Sequence, residues 1–208
     1  MLYLSHIEKE VSVLGPGKRF VLWVQGCKKH CKGCIFPSGQ YVGEKGYWMN
    51  IDTIYDEIVN VHNLTGITIS GGEPFLQASA VSRLVCKVKM ETSLDIMIYS
   101  GYTLAELHNL HDDDIESILC NIDILIDGEY VEELNTNSIY RGSDNQVIHI
   151  LSDKYKPFEN IMKRVKSRNV EFTYNNDELF MVGIPEKNFQ QKFWTLLNQW
   201  SDREDNKK

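Results

Sequence analysis

Residues 19–34 read RFVLWVQGCKKHCKGC. After the leading arginine come five apolar residues, Phe20 to Val24, the composition of a buried strand. Gln25-Gly26 ends that run, and Cys27, Cys31 and Cys34 follow at once with C-x3-C-x2-C spacing. Working outward, short apolar and β-branched runs at 66–70, 93–100, 121–126 and 146–151 also read as strands. Between them, 51–63, 76–91, 103–110 and 157–168 repeat apolar residues every three to four positions, as helices with one buried face do. Asp52 ahead of the first helix, and Thr103 with Glu106 three residues later, supply capping chemistry. This alternation predicts an α/β fold built from βαβ units around a mostly parallel sheet. In such sheets the carboxyl ends of the strands collect the chemistry. There lie Gln25-Gly26-Cys27, 70–74, 100–102 and Asp127-Gly128.

The rest of the chain sets bounds. At 208 residues one domain is expected, and 42% hydrophobic with 25% charged residues argues against disorder or a coiled coil. Lysine plus arginine gives 22 against 29 acidic residues, a formal charge of −7 that offers no global attraction to nucleic acid or an anionic membrane. No apolar run reaches the ~18 residues of a membrane span, and MLYLSHIEKEV lacks the pattern of a signal peptide, so a cytoplasmic location is expected. EFTYNNDELFMVGIP (171–185) reads as a hairpin turning at Asn175-Asn176, and 186–200 as a helix with Phe189, Phe193, Leu196, Leu197 and Trp200 on one face. SDREDNKK (201–208) is too polar to bury anything and reads as a disordered tail.

Five cysteines are present, and Cys86 and Cys120 sit in apolar runs where a thiol acts as a small hydrophobe. The other three, clustered in a chain whose thiols stay reduced, point to metal. Three thiolates leave one position open, both in a tetrahedral zinc site and on a 4Fe-4S cube. His30 or His6 would complete the zinc site. An open iron suits a ligand that chelates through an amino group and a carboxylate, and S-adenosylmethionine carries both. Ser70-Gly71-Gly72-Glu73-Pro74 fits such a ligand: Gly71 and Gly72 admit close backbone approach, and Glu73 accepts hydrogen bonds from an ammonium. The same residues also suit a turn that caps the next helix.

With these motifs in place the chain resembles the radical S-adenosylmethionine superfamily. Within it, GPGKR (15–19), GCKKHCKGC (26–34), SGGEPF (70–75), YSGYTLAEL (99–107), IDILIDGEYVEEL (122–134) and YRGSDNQVIHIL (140–151) resemble, in order, the activating components of anaerobic ribonucleotide reductases. The resemblance implies an incomplete (β/α)6 barrel of the TIM type in one domain over 1–200, with its core at 11–151 and an extension at 152–200. It implies a 4Fe-4S cluster on Cys27, Cys31 and Cys34, with S-adenosylmethionine on the fourth iron. Reductive cleavage to a 5′-deoxyadenosyl radical would then install a glycyl radical on a partner reductase or other glycyl radical enzyme. No general acid or base is needed. Gly33 stands where many superfamily members have an aromatic residue, and Phe36 would either shield the cluster or simply pack beside the loop.

Further ligand contacts are expected from Ser100 and Tyr102 to the methionine or ribose, unless 101–102 is only a strand-to-helix turn, and from Asn145 and Gln146 to the ribose hydroxyls, unless they only cap the strand end. Residues 182–185 resemble the apolar strand end that flanks adenine in longer radical enzymes, and Pro185 at the start of a helix explains them equally well. Lys18, Arg19, Lys28, Lys29 and Lys32 would either steer an acidic electron donor of the flavodoxin or ferredoxin type, or offset the cluster's charge. Asp112 to Asp114 read as capping a helical turn, and Glu129, Glu132 and Glu133 as a solvated face. Two other functions stay open on the residues alone: a radical enzyme acting on a small molecule or peptide, and a non-enzymatic zinc module.

Overall fold

The structure, a computed structural model, describes residues 1–43, 45–175, 178–189 and 191–197. Its elements are β1 (Leu2–Val11), β2 (Arg19–Val24), β3 (Tyr47–Met49), α1 (Ile51–Val59), β4 (Gly66–Gly71), α2 (Ala78–Glu91) and β5 (Asp95–Tyr99). There follow α3 (Leu104–Asn109), α4 (Asp113–Asn121), β6 (Ile124–Asp127), β7 (Val147–Ile150), α5 (Glu159–Arg164), β8 (Val170–Asn175) and β9 (Glu178–Gly183). The main sheet runs β3-β1-β2-β4-β5-β6-β7, and β8-β9 form a separate hairpin. Among the described residues no helix is long and apolar enough to cross a membrane.

The fold is α/β, but the sheet is mixed. β2, β4, β5 and β6 are parallel, while β1 pairs antiparallel with β2 and β3, and β7 antiparallel with β6. Six successive βα units are therefore not formed. The reason lies in the connections: a parallel return needs a crossover element, and the 128–146 link carries only one 3-10 turn, Glu132–Leu134, so β7 comes back antiparallel. β1 is a strand that local pattern conceals, because Ser5, His6, Glu8, Lys9 and Glu10 around Ile7 hide the inward Leu2, Leu4 and Val11.

Several boundaries move. Asn50, not Asp52, caps α1, its side chain accepting from the Asp52 N–H. The run expected as a strand from 121 begins at Ile124. Asp112 accepts from the Asp114 and Ile115 N–H groups and starts α4 there, with acidic residues in its first turn where the helix end is positive. Thr103 and Glu106 form the expected capping box on α3. α1 and α5 are shorter than periodicity suggests, and a 3-10 turn at Pro74–Gln77 precedes α2. Residue 189 and residues 191–197 are helical, whereas Trp200, the tail at 201–208 and the turn residue Asn176 lie outside the described residues.

Strand alternation builds two faces. Phe20, Leu22, Ile67, Ile69, Ile96, Ile98 and Leu125 pack under α1, α2 and α4 in the largest core. On the opposite face Val21 joins Val11, Leu14 and Val182 of the hairpin, with Trp23 and Tyr99 packed against them. The hairpin is fastened there by a Phe180–His6 ring stack, by Thr173 donating to Glu8, and by Glu171 accepting from the Ser12 N–H.

Arg19 belongs to this interior rather than to a surface patch. It is fully buried, 2.7 Å from Asp95, and donates to Thr68 and to the Pro16 and Ile67 carbonyls. Asp95 also accepts from Lys154 and the Tyr155 hydroxyl. Gly15, at φ +130°, makes room for this network: a Cβ there would stand 2.6 Å from Arg19 Cδ. The GPGKR block is thus a structural element at the strand ends opposite the cysteines.

Candidate functional site

Parallel register aligns Val24 with Gly71 and Ile69 with Ile98, which brings the segments following β2, β4 and β5 to one edge of the sheet. There Cys27, Cys31 and Cys34 line one pocket with Ser70, Gly71, Gly72, Glu73, Ser100 and Gln146. Lys29, Gln40, Tyr99, Gly101, Gly128 and Tyr130, none of them proposed as a ligand contact from sequence, complete the lining. Tyr99, Gly101, Gly128 and Tyr130 were within reach of the strand-end rule; Gln40 carries no local signal.

The cysteine loop is rooted by backbone bonds, Gly26 N–H to the Gly39 carbonyl and Cys27 N–H to that of Gln40. His30 and Gly33 turn the loop with positive φ, and the Lys29 N–H donates to Cys27 Sγ, 3.4 Å away. Burial pushes the Cys27 and Cys31 thiols above their ordinary range, against backbone N–H groups that pull them down. Among the described residues no three His, Cys, Asp or Glu side chains converge closely enough to chelate a single metal ion. A cube makes a different demand: its irons sit at separate corners, so its thiolates need only share one cavity, and these three line the same pocket. Neither histidine lines the pocket. His6 stacks on Phe180 and bonds Glu8, and His30 is exposed. The residues present thus fit a three-thiolate cluster better than a Cys3His zinc site.

Glu73 is 1% exposed, and its carboxylate accepts from the Phe75 N–H, the Ser100 hydroxyl and the Gly101 N–H at 3.1, 3.0 and 2.7 Å. Burial pushes its carboxyl up to about 7. It therefore clamps the β4 and β5 loops together while lining the pocket. Gly72 is required by the protein itself, since a Cβ would lie 2.2 Å from the Gly26 carbonyl oxygen at the root of the cysteine loop. Gly71 sits equally tightly on the Val24 backbone.

Tyr102 and Asn145 do not line the pocket. Tyr102 lies under the Lys29 ammonium, and Asn145 is exposed and donates to the Glu129 carbonyl. Gln146 does line it, but its carboxamide accepts from the Gly142 and Ser143 N–H groups and donates to the Gly128 carbonyl, which ties the 128–146 loop. Phe36 packs on Gly39 outside the pocket lining. Residues 182–185 also lie elsewhere: Val182 is in the hairpin core, and Ile184 lines a separate cavity with Ser12, Val13, Tyr140 and Arg168. Cys86 contacts Ser117 on α4, and Cys120 is exposed rather than buried.

The basic residues do not form one free patch. Lys18 pairs with Glu10, Arg19 is buried, Lys29 pairs with Glu129 and Glu106, and Lys32 lies near Glu132 and Glu133. Glu129, Glu132 and Glu133 are exposed as expected, yet they face the lysines of the cysteine loop.

Comparison with known proteins adds to this geometry. The family described as a 4Fe-4S single cluster domain matches residues 13–149. The anaerobic ribonucleoside-triphosphate reductase-activating protein of Vibrio cholerae is 40% identical over 144 residues, 66% of this chain and 90% of that protein. Proteins of the same name from Escherichia coli K12 and phage T4 are 34% and 32% identical, over 67% and 64% of this chain and 92% and 85% of their own lengths.

Proposed function

This chain belongs to the family of anaerobic ribonucleoside-triphosphate reductase-activating proteins, and from that membership we propose how its pocket works. Cys27, Cys31 and Cys34 hold a 4Fe-4S cluster, and S-adenosylmethionine binds beside it against the 70–73 and 100–101 turns. Bound there, the two would supply one-electron reductive cleavage of the sulfonium, with the electron from an external donor, and so the radical chemistry that removes a hydrogen atom from a glycine Cα of the anaerobic ribonucleotide reductase. The observation that carries this reading is the single pocket shared by the three thiols and the SGGE turn.

The protein's own work is positioning. Backbone bonds fix the base of the thiol loop, Glu73 locks the two turns that bracket the ligand's amino group, and Gln146 fixes the loop opposite. We read the four parallel strands as an arc of an incomplete barrel whose mouth admits the reductase's glycine-bearing segment. The described lining of the pocket comes from residues 27–146, with no contribution from the described residues beyond 151, which is in keeping with a protein substrate. Residues 11–151 act as the core of one domain, with the hairpin region as its buttress. A flavodoxin- or ferredoxin-type donor in the cytoplasm supplies the electron. The test is product analysis: anaerobic protein with dithionite releases 5′-deoxyadenosine and methionine from S-adenosylmethionine. Intact S-adenosylmethionine beside a reduced cluster overturns the reading.

Glu73→Ala is expected to retain iron but to bind S-adenosylmethionine more weakly by about 1.5–3 kcal/mol, because a buried charge-assisted acceptor is lost. Calorimetry on the cluster-loaded protein checks this. Binding equal to wild type would restrict Glu73 to bracing the two turns.

A further inference from the structure

Lys29 stands between the first two cysteines, yet its side chain is only 15% exposed, against 84% for Lys32 at the other end of the loop. Its ammonium lies 3.0 Å from Glu129, 3.9 Å from Glu106 and 4.2 Å from the centre of the Tyr102 ring. Those partners come from two different strand ends: Tyr102 and Glu106 from the turn and helix after β5, Glu129 from the turn after β6. Glu106 is itself held, because its other carboxylate oxygen accepts from the Thr103 N–H and hydroxyl in the capping box. The lysine stem passes over Gly101, where a Cβ would lie 3.0 Å from Lys29 Cγ. Gly101 in turn donates its N–H to Glu73.

The loop is thus attached on two sides. Its root is tied to Gly39 and Gln40, and Lys29 joins it to the β5 and β6 turns together, while the exposed Lys32 reaches only the segment after β6 at 3.8–4.0 Å. We propose that Lys29 is a positioning residue, a staple that holds the thiol loop in its cluster-accepting shape before iron arrives. Its role toward the cluster rests on the function proposed above; its role in ordering the iron-free loop does not. A lysine near thiolates also acts by charge alone, and the two roles predict opposite effects at Glu129. A staple fails when either end is cut. A through-space counter-charge grows stronger when Glu129, which neutralises it, is removed.

The experiment compares the wild type with Lys29→Met, Lys29→Arg and Glu129→Gln in the full chain. Amide hydrogen exchange across 27–34 in iron-free protein should quicken about 2- to 5-fold in Lys29→Met and in Glu129→Gln, the size expected when an ion pair with one half-exposed partner that restrains local opening is lost. Lys29→Arg, which keeps the charge, the reach and the aromatic contact, should stay near wild type. Iron release from reconstituted protein to a chelator should accelerate about 10-fold in the same two variants, within the range that outer-shell changes cost metal sites. Unchanged loop exchange in Lys29→Met, or slower iron release in Glu129→Gln, overturns the staple. Failure of the wild type to take up a cluster would sink the activase reading instead, with the exchange measurement still deciding the loop.

Discussion

Cys31→Ala is expected to abolish cluster binding. Cys31 lines the pocket with Cys27 and Cys34; His6 and Glu73 are engaged elsewhere, His30 is exposed, and Glu129 pairs with Lys29. Two thiolates from one loop hold only two corners of the cube. The loss in affinity should exceed the ~10- to 100-fold cost of outer-shell changes, because a ligand itself is gone. After anaerobic reconstitution, iron and sulfide analysis should find this variant nearly empty, with Cys27→Ala and Cys34→Ala behaving alike. Cys86→Ala and Cys120→Ala should load fully, as one thiol contacts only the α4 surface and the other is exposed. Full loading of Cys31→Ala would remove it from the ligand set.

Asp95→Ala is expected to be the most damaging substitution away from the pocket. It would leave the Arg19 guanidinium fully buried with two carbonyls and a threonine hydroxyl but no counter-charge, and would also release Lys154 and Tyr155. Breaking a buried pair in this way costs about 3–5 kcal/mol. That is a large share of a typical ~5–15 kcal/mol stability, so urea denaturation should show a much lower midpoint or no folded baseline. The paired change Arg19→Met with Asp95→Leu should recover much of the loss, because it removes both charges together. Lys18→Ala, beside it in sequence but on an exposed pair, should cost no more than about 1 kcal/mol. Wild-type stability in Asp95→Ala would contradict the role given to this network.

What was legible in the sequence follows from which signals are local. β2, β4 and β5 are buried on both faces, so they stand out as continuous apolar runs, and the cysteine spacing is itself the site. Strand direction is not local. The period-2 pattern of β7 is the same whether it runs with or against β6, and only the short 128–146 connection decides. β1 was hidden because its middle is mostly polar, and α4 because Ile115, Ile118 and Leu119 run into Ile122 and Ile124, so that a helix and a strand share one apolar stretch. At the site, the placing of Gly71, Gly72, Glu73 and Ser100 beside the cysteines was readable from the strand-end rule. Which way their hydrogen bonds point was not: Glu73 and Gln146 spend theirs on neighbouring loops. The Lys29–Glu129 contact joins residues a hundred positions apart in two exposed-looking charge runs, so composition gave no means of pairing them. Arg19 misled for the opposite reason, since an arginine beside a lysine reads as surface until its buried partner at Asp95 is known.

With its cluster loaded, this chain should make a carbon-centred radical on another protein. The most direct measurement is electron paramagnetic resonance of the cognate anaerobic ribonucleotide reductase after anaerobic incubation with this protein, S-adenosylmethionine and dithionite. The account predicts a doublet on the reductase, split by the one hydrogen left on the glycine Cα, and its collapse to a single line when glycine deuterated at Cα is incorporated. No such signal, despite an intact cluster and cleavage of S-adenosylmethionine, would contradict it.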